Sequence, residues 1–107
     1  MSYESLLQSI EHYFVQLKLL YRDYFYRLAQ EDNVEELEIE INDLLLKLQK
    51  IRNKFESQEI NFITIYIEDV FMNLEIYKIM IKEIIFLSYR LPIRNGKKTT
   101  FTFLKKV

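Results

Sequence analysis

Three consecutive stretches of the chain carry apolar residues at alternating steps of three and four. This spacing aligns apolar side chains along one side of an α-helix and is typical of helices that pack nearly parallel or antiparallel to one another. The three stripes are formed by Leu7, Ile10, Phe14, Leu17, Tyr21, Tyr24 and Leu28, by Val34, Leu37, Ile41, Leu44, Leu48, Ile51 and Phe55, and by Ile60, Ile63, Ile67, Val70, Leu74, Tyr77, Ile81 and Ile84. The pattern predicts an all-α fold, an antiparallel bundle of three long helices over about residues 3–30, 33–57 and 60–91.

Glycine and proline are almost absent, with one of each in 107 residues. Sandwiches, barrels and doubly wound sheets need many tight turns, so this scarcity excludes them. Pro92 and Gly96 both follow the third stripe, and the charge changes sign there. Residues 1–93 contain 10 Lys or Arg and 16 Asp or Glu, whereas residues 94–107 contain five Lys or Arg and no acid. We therefore predict one helical domain over residues 1–92 and a distinct basic tail over residues 93–107.

Polar residues separate the predicted helices. Residues 30–32 interrupt the first stripe, and Asn33 with Glu36 has the spacing of a capping box, in which a side-chain oxygen accepts from the first turn of a helix. A connection this short allows only an antiparallel hairpin. A weaker break falls at residues 57–59. Pro92 ends the third helix, since the residue before a proline is pushed out of helical geometry.

Two segments also have the character of β-strands. Residues 62–67 are β-branched and aromatic enough to form a strand on propensity alone, although the third stripe runs through them. Residues 99–104 alternate with a period of two and follow Asn95-Gly96, which is a strong hairpin signal. A strand is therefore an alternative for residues 62–67, and a single extended strand is an alternative for the tail.

The third predicted helix is apolar on two sides. Most of the side chains from Ile60 to Leu91 are hydrophobic, well above the share in the chain as a whole. A second stripe on this helix consists of Ile65, Met72, Ile76, Ile79 and Phe86. Two other helices cannot cover both stripes of the third, so we expect the remaining stripe either to close a homodimer or to receive a partner helix.

Further candidate binding residues lie on the first helix and in the tail. Val15, Leu19, Arg22 and Tyr26 share one outer stripe of the first helix, as a helix-in-groove contact requires; the alternative is that the third helix of the same chain covers them. We assign partner binding to Val15, Leu19, Arg22, Tyr26, Met72, Ile76, Ile79 and Phe86, and in the tail to Arg94, Lys97, Lys98, Phe101 and Phe103. Basic residues interleaved with aromatic ones could also contact a nucleic acid, which the acidic body makes an unfavoured alternative.

The composition argues against catalysis. With no Cys and only His12, zinc sites, Cys-His pairs and Ser-His-Asp triads are out of reach. The Glu-x-x-Glu spacings that begin at Glu35 and Glu56 are similar to the Mg-binding carboxylates of all-helical nucleotide pyrophosphohydrolases, but Glu38 and Glu56 lie off the apolar stripes. We expect no enzymatic activity, metal, cofactor or small-molecule substrate. The N-terminus lacks the features of a signal peptide and no segment is apolar for long enough to span a membrane, so we expect a cytoplasmic protein.

Residues 27–37, with the sequence RLAQEDNVEEL, resemble the first helix-turn-helix of FliT-type flagellar export chaperones. The basic stretch from Gly96 to Lys98, followed by an aromatic residue, is similar to the end of that family. The resemblance implies a cytoplasmic chaperone that sequesters the helical end of a secreted subunit, with a tail that gates its groove. A second resemblance, carried by Leu20-Tyr21-Arg22 and the later Phe55, is to mitochondrial LYR-motif adaptors.

Taken together, the sequence favours a non-enzymatic helical-bundle module, chaperone- or adaptor-like, that holds a partner helix. A self-associating structural homodimer is one alternative. The other is a small regulator, or an immunity or inhibitor protein of phage or plasmid type, whose basic tail binds a nucleic acid or another partner.

Overall fold

The computed structural model describes residues 3–55 and 62–90, with the backbone alone at residues 3, 89 and 90. In these ranges the chain forms three helices and no strand: α1 (Tyr3–Ala29), α2 (Glu35–Phe55) and α3 (Phe62–Arg90). Every pair of helices is in contact, and α2 and α3 make the fewest contacts with each other. The all-α bundle of three helices is confirmed.

Contacts between the helices define their directions. The hydroxyl of Tyr24 donates to Glu38 at 3.4 Å, and Lys47 lies 6.0 Å from the ring of Tyr13. Since higher numbers on α2 meet lower numbers on α1, these two helices run antiparallel. An ion pair of 2.6 Å joins Arg52 near the end of α2 to Glu68 near the start of α3. The order is therefore up, down, up, with α1 and α3 parallel.

The turn between α1 and α2 uses a left-handed residue that is not glycine. Glu31 has a φ of 60°. Its N–H donates to the carbonyl of Leu28 at 3.0 Å, and the N–H of Asp32 donates to the carbonyl of Arg27 at 2.9 Å. These two bonds are those of a Schellman motif, which satisfies the last carbonyls of a helix and reverses the chain.

Asn33 caps α2, as predicted. Its Oδ1 accepts from the backbone N–H of Glu35 at 2.9 Å, and the first bond of the helix runs from the N–H of Glu38 to the carbonyl of Val34 at 3.0 Å. The cap contact therefore spans two residues, where a capping box spans three, and α2 begins two residues later than predicted. The acids of its first turn suit the positive end of the helix dipole.

The predicted stripes form the core, with corrections at their ends. The most deeply buried side chains belong to Ile10, Leu17, Leu48, Ile63, Ile67, Val70 and Leu74. Leu7 and Ile84 belong to the predicted stripes, but they are 38% and 53% exposed, and their neighbours Leu6 and Ile85 are buried instead. Phe25 and Ala29 likewise join the core at the end of α1. A straight helix drifts by roughly 20° per heptad against a strict seven-residue repeat, so the buried stripe shifts by one residue near the helix ends.

The strand alternative for residues 62–67 is wrong, because these residues form the first two turns of α3. Ile60, the break at residues 57–59, Glu56, Pro92 and the tail lie outside the described residues. The same holds for the strand alternative at residues 99–104.

Candidate protein-binding surface

The side of α3 that faces away from the core is largely apolar. Its large side chains are all at least half exposed: Phe62, Ile65, Met72, Ile76, Ile79, Met80, Ile84 and Leu87. Together these eight residues expose on the order of 800 Å², which is the area that one partner contributes to a standard protein–protein interface. The largest apolar patch of a typical monomer is smaller, at roughly 300–600 Å².

This surface follows a second series of α3 residues that are spaced alternately three and four apart. We call this series the outward seam. It consists of Phe62, Ile65, Asp69, Met72, Ile76, Ile79, Glu83 and Phe86. The core stripe of α3 lies on the opposite side of the same helix. Two of the eight positions of the outward seam are carboxylates, and both are exposed. The outward seam thus has the form of a coiled-coil seam without a partner in the described part of the chain.

The predicted binding residues of α3 all belong to the outward seam. Met72 and Ile79 are about two-thirds exposed and Ile76 is half exposed. Phe86 is half-buried, and the ammonium of Lys82 lies 5.8 Å from the centre of its ring. The expectation that one stripe of the third helix is left uncovered by the other two helices is confirmed.

The predicted stripe on α1 is also exposed. Val15, Leu19 and Tyr26 are 44%, 47% and 51% exposed, and Arg22 is exposed beside them. The alternative that α3 covers this stripe is therefore wrong. The stripe is shorter than the outward seam and carries Arg22 in its middle. It forms a separate surface, because it lies on a different helix and opposite the core side of that helix.

A groove between α2 and α3 was not predicted. It has a volume of about 650 Å³, and its lining includes Leu45 and Leu46 from α2, Phe71 and Leu74 from α3, and Tyr21 from α1. Leu45 and Leu46 lie off the α2 stripe, and this surplus of leucine was the signal in the sequence that could have located the groove.

Charged groups border the groove on the α3 side. Lys78 forms an ion pair of 3.2 Å with Glu75, and its ammonium also lies 5.0 Å from the centre of the Tyr21 ring. Burial, and secondarily the charge of Glu75, raises the pKa of Tyr21 above its usual value. The phenol therefore stays protonated and can donate a hydrogen bond well above neutral pH.

The pKa values of two other tyrosines, Tyr24 and Tyr66, are also raised. Burial first and Glu38 second raise the pKa of Tyr24, whose hydroxyl donates to that carboxylate. Burial first and Glu11 second raise the pKa of Tyr66. None of these shifts produces a nucleophile or a base near neutral pH.

The start of α2 and the turn before it form a strongly acidic region. Residues 28–46 contain seven Asp or Glu and no Lys or Arg. Glu35 and Glu38, the described pair with Glu-x-x-Glu spacing, are both exposed. In the part of the chain that the structure describes, no group of three or more His, Asp or Glu could hold a metal ion. His12 is exposed on α1, away from the core stripe.

The predicted tail residues Arg94, Lys97, Lys98, Phe101 and Phe103 lie outside the described residues. None of the three helices, over the residues described, has an apolar window long enough to cross a membrane.

Comparison of the chain with protein-family models, with curated proteins and with solved structures finds no match.

Proposed function

We propose that this chain is a non-enzymatic helical-bundle module, chaperone- or adaptor-like, that holds a helix of another protein against the outward seam of α3. A location in the cytoplasm is part of the proposal, because the FliT-type resemblance implies it. That resemblance also supports the chaperone character of the module.

One observation carries the proposal. The outward seam keeps strict coiled-coil spacing over about 36 Å of helix, calculated from the rise of 1.5 Å per residue. Its side chains are exposed at every position except the half-buried Phe86. Covering such a seam with another helix removes apolar surface from water at roughly 25 cal/mol per Å². Helix-in-groove recognition uses this same spacing of anchors.

Self-association is the alternative that the same surface favours. A symmetric dimer would place the outward seam of one copy against that of the other. The exposed area is sufficient for such a dimer, but the two carboxylates of the seam oppose it, because the pairing would bring them into an apolar interface.

Site-specific photo-crosslinking in living cells tests the proposal. A photoreactive amino acid is placed at Ile79 or at Ile39 of the full chain. These two isoleucines are matched controls, since they are 66% and 68% exposed on different helices. Ile79 lies in the apolar surface, whereas Ile39 lies between Glu38 and Glu40 in the acidic part of α2.

We expect position 79, and not position 39, to crosslink to a helical segment of another protein. That segment, made as a synthetic peptide, should bind the wild-type chain and the Ile39→Lys variant equally, and the Ile79→Lys variant at least tenfold more weakly. Crosslinks from position 79 only to a second copy of the chain would overturn the proposal in favour of the homodimer. The absence of any crosslink specific to position 79 would overturn it as well.

A further inference from the structure

The outward seam of α3 is interrupted only by acids. Asp69 and Glu83 occupy two of its eight positions, and they lie two heptads apart, or roughly 21 Å along the helix. Because whole heptads separate them, both carboxylates lie at equivalent positions of the repeat. A helix that covers the seam must cover both of them.

Among the described side chains of α3, residues 62–88, no base is placed to compensate these acids. Between residues 62 and 88 the basic residues of α3 are Lys78 and Lys82, and neither belongs to the outward seam. Lys78 is engaged with Glu75 and with the face of Tyr21 on the groove side, and Lys82 lies over Phe86. Asp69 accepts a hydrogen bond of 3.2 Å from Asn73, which leaves its charge uncompensated.

Burying a carboxylate without a cation costs several kcal/mol, so the two acids penalise a partner whose seam is entirely apolar. A lysine or arginine opposite each acid turns the penalty into a charge-assisted hydrogen bond. Acids in a seam therefore select among partner helices, in the way that a single polar residue selects register in coiled coils.

A second copy of this chain does not supply those bases through the same seam. A parallel pair of α3 helices would place Asp69 against Asp69 and Glu83 against Glu83. An antiparallel pair with full overlap would place Asp69 against Ile79 and Glu83 against Ile65. In both arrangements no residue of the other copy's outward seam supplies a cation to the carboxylates.

We infer that the occupant of the outward seam is a helix of another protein with an apolar heptad seam and two basic residues, lysine or arginine, two heptads apart. The inference rests on the proposed function and specifies the chemistry of its partner. Because a spacing of two heptads is the same in parallel and antiparallel pairings, it does not depend on the direction in which the partner runs.

Three fluorescent synthetic helices of equal length and apolar content test the inference against the full chain. The matched peptide carries lysines two heptads apart on its seam, the mismatched peptide carries them one heptad apart, and the acidic peptide carries glutamates two heptads apart. Affinity is measured by fluorescence anisotropy at low and at physiological salt. We expect the matched peptide to bind at least tenfold more tightly than each of the other two.

Variants of the chain test whether a preference for the matched peptide depends on the two carboxylates. The double variant Asp69→Asn, Glu83→Gln should lose the preference for the matched peptide, and Asp69→Lys, Glu83→Lys should transfer it to the acidic peptide. The double variant Glu36→Gln, Glu40→Gln removes the same net charge from exposed positions of α2 and should retain the wild-type preference. All four residues are exposed, so folding should be unaffected, and circular dichroism checks this.

Equal binding of the three peptides would overturn the inference and leave the proposed function standing. So would a preference that the α2 control variant also abolishes, since net charge alone would then explain it. Failure of all three peptides to bind overturns the inference too, whereas the crosslinking at position 79 decides separately whether a partner helix occupies the seam.

Discussion

Substitution of Leu48 on α2 by alanine is the most direct test of how the core is packed. The side chain of Leu48 is fully buried at the centre of the bundle, whereas Leu46, two residues earlier on the same helix, is 58% exposed. Truncating a fully buried leucine to alanine removes its transfer free energy and leaves a cavity, at a cost of about 2–5 kcal/mol. A domain of this size has a total stability of roughly 5–15 kcal/mol. Leu48→Ala should therefore remove a large fraction of the free energy of unfolding.

Leu46→Ala is the matched control, because it makes the same chemical change on the same helix. Complete burial of a leucine contributes about 1.5–3 kcal/mol, and less than half of Leu46 is buried, so we expect a loss of about 1 kcal/mol or less. Urea titrations followed by far-UV circular dichroism, at two protein concentrations, give both values. Equal losses in the two variants would refute the assignment of the core. A loss for Leu46→Ala that grows with protein concentration would instead place Leu46 in a dimer interface.

Three further predictions address the ionisable groups and the turn. Because burial raises the folded-state pKa of Tyr21 above the ordinary value of 10.0, its contribution to stability is complete below pH 10.0 and is lost as the pH rises through the folded-state pKa. Urea titrations should show a smaller alkaline loss for Tyr21→Phe than for wild type, and an unchanged loss would contradict the shift. A double-mutant cycle of Arg52→Ala and Glu68→Ala should give a coupling free energy of about 0.2–1 kcal/mol, which decreases in high salt because the pair is partly exposed. A coupling free energy of zero would mean that the ion pair does not join α2 to α3 in solution. Glu31→Gly should raise the thermal midpoint of unfolding, because it relieves about 1 kcal/mol of strain from a non-glycine residue in the left-handed backbone conformation. Gln30→Gly, one residue earlier, should lower the midpoint. A lower midpoint for Glu31→Gly would contradict the positive φ of Glu31.

The sequence predicted the helices because spacing and composition agree. Leu37, Ile41, Leu44 and Leu48 repeat at steps of three and four and are all buried. The same spacing runs through residues 62–67, where β-propensity indicated a strand and the structure has a helix. Packing of a long stripe against two neighbours outweighs a local preference that spans only about 1 kcal/mol.

The predictions that failed did so for physical reasons that the heptad spacing of apolar residues does not contain. Leu6 and Ile85 replace Leu7 and Ile84 in the core because the buried side of a straight helix drifts against the heptad. The scarcity of glycine correctly predicted few turns, yet the α1–α2 turn still needs one left-handed residue, and Glu31 adopts that conformation. The groove over Tyr21 depends on how far apart α2 and α3 lie, which no spacing within either helix encodes.

The two seams of α3 are distinguished by charge rather than by hydrophobicity. The core seam through Ile67 and Leu74 contains no charged residue, whereas the outward seam contains Asp69 and Glu83, which are expensive to bury without a cation. The cost of burying the carboxylates therefore favours the orientation in which the core seam faces α1 and α2. The carboxylates do not explain why Ile79 and its neighbours on the outward seam are apolar, since polar side chains at such exposed positions would leave the core intact and reduce the risk of aggregation. These apolar side chains lie outside the buried core of the single chain, and the proposed partner helix would cover them and neutralise both acids.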